Sequence, residues 1–392
     1  MTDAVLVSAC RTPIGKFQGG LSPLSATDLG AVAVREALRR AGVAPADVQE
    51  VVLGNVLQAG LGQNPARTAA LRGGVPAEVP AFTVNKVCGS GLKAIMLAAQ
   101  AIKAGDRDLL VAGGMESMSN APHLLLGSRE GIRLGDGRLV DHMVHDGLWD
   151  HHNGIHMGET GEIVAERFDV SREDADALAV RSHHLAQEAW DSGAFRDETV
   201  PVVVPQRRGD PVVVDHDEGI RAGTTAESIG KLRPVFRPDG QVTAANASQI
   251  SDGAAATVVA SRAHAEEHGL PVLATIEAYD ASGTRPEWVM EAPIVSVRNL
   301  FRRTGLTIDD IDLFEHNEAF AAASCAVQKQ IGVPDTKFNI HGGAVALGHP
   351  IGASGARILA TLAYALKARG GGRGLATLCL GGGNAVSLTL RV

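Results

Sequence analysis

Two cysteines beside glycines are the residues of this chain best suited to covalent chemistry. Cys88 lies in Asn-Lys-Val-Cys-Gly-Ser-Gly, at a predicted turn from an extended segment into a helix, and Cys379 ends a predicted strand before three glycines. Free N–H groups and the positive helix end favour a thiolate at Cys88, and Gly89 and Gly91 would let a substrate carbonyl approach the backbone. The pattern indicates a nucleophile, although a buried core position is the commoner fate of a free cysteine.

Two further turns carry polar side chains. His349 lies in Gly-His-Pro-Ile-Gly-Ala-Ser-Gly, where the glycines leave little core for an imidazole, so acid–base or oxyanion chemistry is favoured over a structural role. Asn317, in Glu-His-Asn-Glu-Ala-Phe, follows a predicted strand and opens an alanine-rich helix that it could cap, or it could orient a water.

The elements that must position these residues form an internal repeat. Arg35, in a helix predicted over 26–41, matches Arg298 in a similar helix 263 residues later. The Gly-Ser-Gly turn at Ser90, with its helix and strand, matches the turn at Ser354 at an offset of 264. Two matches at nearly one offset predict a duplicated α/β unit, so Cys88 and Cys379, one from each half, could face one pocket. A redox pair is the alternative, but their spacing does not require it.

Composition limits the class of protein. The 392 residues are 45% hydrophobic with 46 glycines, which is typical of a globular α/β enzyme. The 36 basic and 44 acidic residues leave a net charge of −8, so no general attraction to nucleic acid or membrane is expected. Four scattered cysteines without C-x-x-C spacing argue against disulfides, and no signal peptide or membrane-spanning segment is predicted. A cytoplasmic location is therefore expected.

A polar insertion is predicted between the halves, with a helix opening at Ser171 and short strands near 200–204 and 212–214. Its basic residues near 221–237 form either a solvated loop or a phosphate-binding patch. Histidines 142, 145, 151, 152 and 156 crowd one stretch, but they show neither H-E-x-x-H spacing nor carboxylate support, so no metal site is expected. His183 and His184 are expected at the surface of the long helix.

The motifs around Cys88, Asn317, His349 and Cys379, in this order and over essentially the whole chain, resemble those of the thiolase family, closest to the biosynthetic acetyl-CoA acetyltransferases. The resemblance implies two duplicated βαβαβαββ halves in a layered α-β-α-β-α arrangement with an inserted loop domain. It implies boundaries of 1–116 for the first part of the N-terminal half, 117–243 for the loop domain, 244–270 for the end of that half, and 271–392 for the C-terminal half.

The resemblance also implies a mechanism. His349 would take the proton of Cys88, which would be acylated by an acyl-CoA, and Cys379 would then remove an α-proton from acetyl-CoA. One oxyanion would be held by His349 and a water on Asn317, and the other by the N–H groups of Cys88 and Gly381. The reaction would join two acetyl-CoA into acetoacetyl-CoA plus CoA, reversibly and without a cofactor.

For coenzyme A, the resemblance assigns seven residues. Arg221 would lie beside the adenine, Ser248 on the pantetheine arm, and Met157 would close the acyl end, as in short-chain enzymes. The tunnel would be lined by the remaining four: Leu148, His156, Ala319 and Phe320. A homotetramer, as a dimer of dimers, is implied.

Three positions depart from the family pattern, namely Gln249, His316 and Asn384. They leave open a degradative 3-ketoacyl-CoA thiolase of broader or longer chain specificity. A silent acyl-CoA-binding subunit would be expected to have lost catalytic residues, all four of which are present. A decarboxylating condensing enzyme would be expected to carry histidine at position 317.

Overall fold

The computed structural model describes residues 3–392. The N-terminal half begins with β1 (Ala4–Arg11), β2 (Gly15–Lys16), α1 (Ala26–Ala41), β3 (Glu50–Gly54), α2 (Pro65–Arg72), β4 (Ala81–Val84), α3 (Ser90–Ala104) and β5 (Leu109–Ser117). The predicted helix over 26–41 is confirmed. Ser25 and Asp28 form a capping box at its start, and Gly42, in the left-handed conformation, ends it.

The insertion follows β5. It contains β6 (His123–Leu125), β7 (Leu139–Asp141), a π-helix (Met143–Leu148), β8 (Trp149–Asp150), β9 (Ile155–His156), α4 (Met157–Phe168), α5 (Arg172–Asp191), β10 (Val202–Val204), β11 (Val212–Val214) and α6 (Ala226–Gly230). The predicted capping box at Ser171 and both short strands are confirmed. The connection between β5 and β12 runs from 118 to 250, and the domain boundaries inferred above stay a prediction.

The chain then returns to the first half with β12 (Ser251–Ser261) and α7 (Arg262–Glu267). The second half contains β13 (Ala274–Gly283), α8 (Ala292–Thr304), β14 (Leu313–His316), α9 (Ala321–Ile331), α10 (Ala344–Leu347), α11 (Ser354–Ala368), β15 (Arg373–Leu380) and β16 (Asn384–Arg391). Among the described residues, no helix is long and apolar enough to cross a membrane.

One continuous hydrogen-bonded sheet joins the two halves. Its order is β14-β15-β16-β13-β1-β12-β5-β3-β4, and the antiparallel pair of β1 and β13 is the junction between the halves. Phe338 bridges β14 at Phe314 in the way that β4 pairs with β3 in the first half. The matching order of elements on either side of the junction confirms the predicted duplication.

Helices cover the two half-sheets on both sides. Helices α3 and α11 pack against each other and against strands of both halves, in a core of buried aliphatic residues. Helices α1 and α2 cover the outer face of the first half, and α8 and α9 cover that of the second. The predicted α-β-α-β-α layering is therefore confirmed, and the turns that start the two central helices meet inside the molecule.

Candidate active site

The turn before α3 presents Cys88 at the start of the helix, as the sequence predicted. Val87 has a φ of +46°, which is unusual for a β-branched residue. The hydroxyl of Ser90 donates to the carbonyl of Val87 at 2.6 Å and accepts from the N–H of Lys86 at 2.8 Å, so it holds the strained turn. The position of Cys88 is thus set by local contacts within the motif.

Gly89 and Gly91 serve packing between the halves, which differs from the prediction that they expose the backbone to substrate. A Cβ at Gly89 would lie 2.4 Å from a side-chain carbon of Leu380, and one at Gly91 would lie 2.8 Å from the main-chain nitrogen of Ala356. Neither glycine lines the cavity described below. The absence of side chains here lets the start of α3 approach the second half.

A largely apolar cavity of about 250 Å³ lies where the two halves and the insertion meet. It contains both thiols and the imidazole, together with most residues that family resemblance assigned to binding. The predicted site residues that line it are Cys88, Leu148, His156, Met157, Ser248, Ala319, Phe320, His349, Cys379 and Gly381.

Burial controls the ionisation of the two thiols. It raises the pKa of Cys88 above its ordinary value, and the nearby thiol of Cys379 raises it further. The N–H groups of Cys88 itself and of Gly381 act in the opposite direction, because they stabilise the thiolate. Burial also raises the pKa of Cys379 to about 12. The expected lowering at Cys88 is therefore outweighed by desolvation, and the thiol needs a base when it reacts.

His349 is held in one orientation by its neighbours. Its Nδ1 lies 2.6 Å from the hydroxyl of Ser354, and that hydroxyl donates its proton to the carbonyl of Pro350 at 3.0 Å. Nδ1 must therefore carry the proton that bonds Ser354, which leaves a lone pair on Nε2. Burial, with a smaller effect from Arg357, lowers the pKa of His349 to about 3. The imidazole is neutral at physiological pH, as a general base must be.

Asn317 lies behind the histidine in a fully buried position. Its Nδ2 is 3.4 Å from both ring nitrogens of His349, and its Oδ1 has no hydrogen-bond partner among the described residues. Helix α9 begins at Ala321 with Phe320 as its N-cap, so Asn317 does not cap it. Of the two roles that the sequence offered, capping is therefore wrong, and orientation of a water stays a prediction.

Two residues that line the cavity, Met290 and Phe236, were not predicted, because neither lies in a recognisable motif. The sulfur of Met290 lies 3.6 Å from that of Cys379, and the ring of Phe236 stacks on His156 with centroids 4.9 Å apart. Met290 lies in the 3-10 helix Pro286–Glu291 and Phe236 in a loop, both far along the chain from their contacts. His156 also caps α4, because its Nδ1 accepts from the N–H of Gly158 at 3.0 Å.

Arg221 lies outside this cavity and is exposed, so its assignment to adenine stays a prediction. Its backbone N–H donates to Nδ1 of His183 at 3.1 Å. The expectation that His183 lies at the surface is wrong, because this side chain is only 1% exposed. Its imidazole lies inside the insertion, where it anchors the segment that carries Arg221 to α5. Among the other basic residues of that stretch, Arg237 pairs with Glu159 and Glu166.

Gln249, the first departure from the family pattern, ties the insertion to the catalytic segment. Its Nε2 donates to the carbonyls of Gly219, Val345 and Ala346 at 2.9, 3.1 and 3.2 Å. Its main-chain carbonyl accepts from the N–H of His349 at 3.0 Å. The glutamine therefore supports the turn that carries His349.

The other two departures do not line the cavity. His316 is fully buried with Nδ1 2.9 Å from the hydroxyl of Ser324, and it does not line the cavity. Asn384 donates to the carbonyl of Gly382 at 3.0 Å at the start of β16.

The histidine-rich stretch differs from its prediction. Carboxylate support was not expected, but Asp146 contacts both His142 and His145. Ligand atoms of His145, Asp146 and His151 all lie within 4.8 Å of one another. The prediction of no metal site relied on the absence of a carboxylate beside these histidines, and Asp146 supplies one.

Comparison with known proteins agrees with this geometry. The models for the thiolase N-terminal and C-terminal domains match residues 4–263 and 270–392. The chain is 54% identical to the acetyl-CoA acetyltransferase of Cupriavidus necator and 51% identical to that of Pseudomonas aeruginosa, each over 100% of this chain and 99% of the relative. The crystal structure of the Bacillus anthracis acetyl-CoA acetyltransferase matches with a TM-score of 0.98 at 42% identity, covering 100% of this chain and 99% of that one. The chain belongs to the thiolase family.

Proposed function

We propose that this chain is an acetyl-CoA C-acetyltransferase that joins two acetyl-CoA into acetoacetyl-CoA and CoA, and cleaves acetoacetyl-CoA with CoA in reverse. One observation carries the proposal: a single apolar cavity holds two thiols and a neutral imidazole. The names of the relatives at about half identity support the same activity.

The first step is acylation of Cys88. Nε2 of His349 takes the thiol proton, and the sulfur attacks the thioester carbonyl of acetyl-CoA. The C–S bond to coenzyme A then breaks, and the leaving thiolate takes the proton back from His349. The N–H groups of Cys88 and Gly381 stabilise the Cys88 thiolate, so they are near enough to hold the thioester oxygen; one such donor is typically worth about 3 kcal/mol.

The second step forms the carbon–carbon bond. Cys379 passes its thiol proton to Nε2 of His349 and, as the thiolate, removes an α-proton from a second acetyl-CoA; the enolate carbon then attacks the acetyl group on Cys88. The bond to Cys88 breaks, acetoacetyl-CoA leaves, and the Cys88 thiolate takes its proton from His349. The enolate oxygen is stabilised by His349, which lines the cavity, and by a water held on Oδ1 of Asn317, which lies behind His349 and has no partner among the described residues. No cofactor takes part in these bond changes.

Substrate length is limited by the cavity wall. Met157 and the stacked pair of His156 and Phe236 line it, which leaves about 250 Å³ for the acyl group and the end of the pantetheine arm. Ser248, Leu148, Ala319 and Phe320 would contact that arm, and Arg221 the adenine. A degradative thiolase of longer chain specificity is not favoured, because the relatives compared are named as acetyltransferases.

The assembly that we propose is a homotetramer. The hairpin of β6 and β7 and its connection expose large apolar residues, including Leu126, Ile132, Leu134 and Leu139, with Leu134 97% exposed. Such a patch favours contact with another copy. Light scattering should show a tetramer, and Leu134→Glu should give a smaller species; an unchanged mass would place the interface elsewhere. The proposed mechanism needs free thiols at Cys88 and Cys379, which a reducing compartment maintains, so we place the protein in the cytoplasm. Its proposed role there is in the acyl-CoA reactions of lipid metabolism.

Variants of the two site cysteines test the mechanism. After addition of acetyl-CoA, mass spectrometry should find an acetyl group on wild-type protein and on Cys379→Ala, but not on Cys88→Ala. Both variants should lose acetoacetyl-CoA formation. Cys325→Ala is the matched control, because Cys325 lies outside the cavity, and it should keep both activities.

Two results would contradict the proposal. Equal loss of acetylation in both site variants would refute the division of labour between the thiols. Thiolysis of 3-ketoacyl-CoAs only when they are longer than acetoacetyl-CoA would refute the assigned substrate.

A further inference from the structure

We propose that His145, Asp146 and His151 bind a divalent transition-metal ion, and that the ion fixes the wall of the cavity that contains Cys88. His145 and Asp146 lie on the π-helix Met143–Leu148, and His151 lies in the turn between β8 and β9. Their ligand atoms lie within 4.8 Å of one another. The side chains of His145 and Asp146 are 34% and 42% exposed, so an ion can reach them from solvent.

Neighbouring groups already orient two of the three ligands. Nδ1 of His142 lies 2.5 Å from Oδ2 of Asp146, which leaves the other carboxylate oxygen to face His145. Nε2 of His151 donates to the carbonyl of His145 at 2.7 Å, so the proton of this ring is on Nε2 and the lone pair is on Nδ1. Outer hydrogen bonds of this kind fix the tautomer and direction of metal ligands.

The donor set selects the class of ion. Two imidazoles and one carboxylate suit Zn²⁺, Co²⁺ or Ni²⁺, whereas Ca²⁺ and Mg²⁺ prefer oxygen ligands alone. A tetrahedral ion with bonds of about 2.05 Å would hold its ligand atoms about 3.3 Å apart. Nδ1 of His145 is already 3.0 Å from Oδ1 of Asp146, and the rings of His145 and His151 have centroids 4.7 Å apart. Small side-chain rotations would complete the site, with water as the fourth ligand.

The position of the site gives it a consequence for the cavity. Gly147 and Leu148, between the ligands, line the cavity wall, and the hairpin that carries His151 leads into His156. An ion held at this point would tie the π-helix to the hairpin and restrict movement of the wall. It would take no part in acyl transfer, because the proposed proton transfers and bond changes involve the two thiols and the imidazole.

Metal titration of the full chain tests the site. The thiols are first blocked with iodoacetamide, because cysteines also bind Zn²⁺. Calorimetry with Zn²⁺ and Ni²⁺ should then find one ion per chain, and this binding should be lost in His151→Ala and in Asp146→Asn. His264→Ala is the control, because His264 and His268 form another stacked histidine pair, with centroids 4.1 Å apart, that lies outside this group. Binding that survives in His151→Ala, or is lost in His264→Ala, would overturn the proposal.

The rate of Cys88 alkylation tests the effect on the wall. With unblocked protein, saturating Zn²⁺ should slow the reaction of Cys88 with iodoacetamide several-fold, and EDTA should restore it. The rate in His151→Ala should not respond to Zn²⁺. If both proteins are slowed equally, the ion acts on the thiols themselves and the proposed coupling is wrong. An unchanged rate in wild-type protein with Zn²⁺ bound at His151 would also refute the coupling.

Discussion

Replacing Ser354 by alanine removes the hydroxyl that fixes the tautomer of His349. Ser354 is fully buried, and its hydroxyl accepts from Nδ1 of His349 at 2.6 Å while donating to Pro350. Without it, a buried N–H loses its partner, which costs about 1–3 kcal/mol. The ring can recover part of this cost by moving its proton to Nε2, which removes the lone pair that must accept the proton of Cys88.

The magnitude follows from that cost. If the variant makes the unreactive tautomer about 1.4–2.8 kcal/mol more stable than the reactive one, acylation of Cys88 should slow by about tenfold to hundredfold. Stopped-flow release of CoA from acetyl-CoA measures this step directly. The affinity of substrate should change little, because Ser354 does not line the cavity.

The structure supplies a matched control. Ser324 and His316 form a second buried serine–histidine pair, with the hydroxyl 2.9 Å from Nδ1, and neither residue lines the cavity. Ser324→Ala should lower the free energy of unfolding by a similar amount, about 1–3 kcal/mol, yet leave the acylation rate within a few-fold of wild type. If both variants lose the same rate, or if Ser354→Ala loses stability alone, the tautomer argument is refuted.

Three further predictions concern packing and ionisation. Gly91→Ala should lower the free energy of unfolding, measured with denaturant, by about 1–3 kcal/mol, because the new Cβ would lie 2.8 Å from the main-chain nitrogen of Ala356. An unchanged free energy of unfolding would contradict the close contact between the two halves at this position. Glu116→Gln should lower both stability, by about 1–3 kcal/mol, and turnover, because the amide N–H₂ would replace one carboxylate oxygen and leave at least one of the backbone N–H groups of Val56, Leu57 and Gly352 facing another donor; wild-type behaviour would contradict this. Burial lowers the pKa of His316 to about 3, so between pH 6.5 and pH 3 the unfolded state binds a proton at this residue and the folded state does not. The free energy of unfolding of wild type, minus that of His316→Gln, should therefore fall by about 1.4 kcal/mol for each unit that the pH drops in this range. The difference between the two proteins cancels the opposing titration of Glu116 and Glu315, whose pKa values burial raises, and a pH-independent difference would refute the shift.

The main features of the fold were predictable because they rest on local patterns and on repetition. Capping at Ser25 and Ser171 and the apolar periodicity after Cys88 are properties of short segments. The offset between Arg35 and Arg298 predicted two similar halves, because a duplicated sequence folds into duplicated elements. The chemical types of the site residues were recognisable for the same reason, since each lies in a short motif.

Other features depend on contacts between distant parts of the chain. Met290 and Phe236 carry no motif, and only folding brings them against Cys379 and His156. The same holds for His183 on α5, which was expected in solvent but is buried against the segment that carries Arg221.

The sequence by itself determined which groups can react, where they stand relative to helix starts and strand ends, and that the chain is two copies of one unit. Only the tertiary structure decided how those groups ionise and how tightly they are enclosed. The pKa of Cys88 shows why: its local motif predicts a lowered value, but desolvation in a cavity lined by both halves and the insertion outweighs the nearby N–H groups. Desolvation depends on every atom that surrounds the sulfur, and most of those atoms belong to residues far from it in sequence.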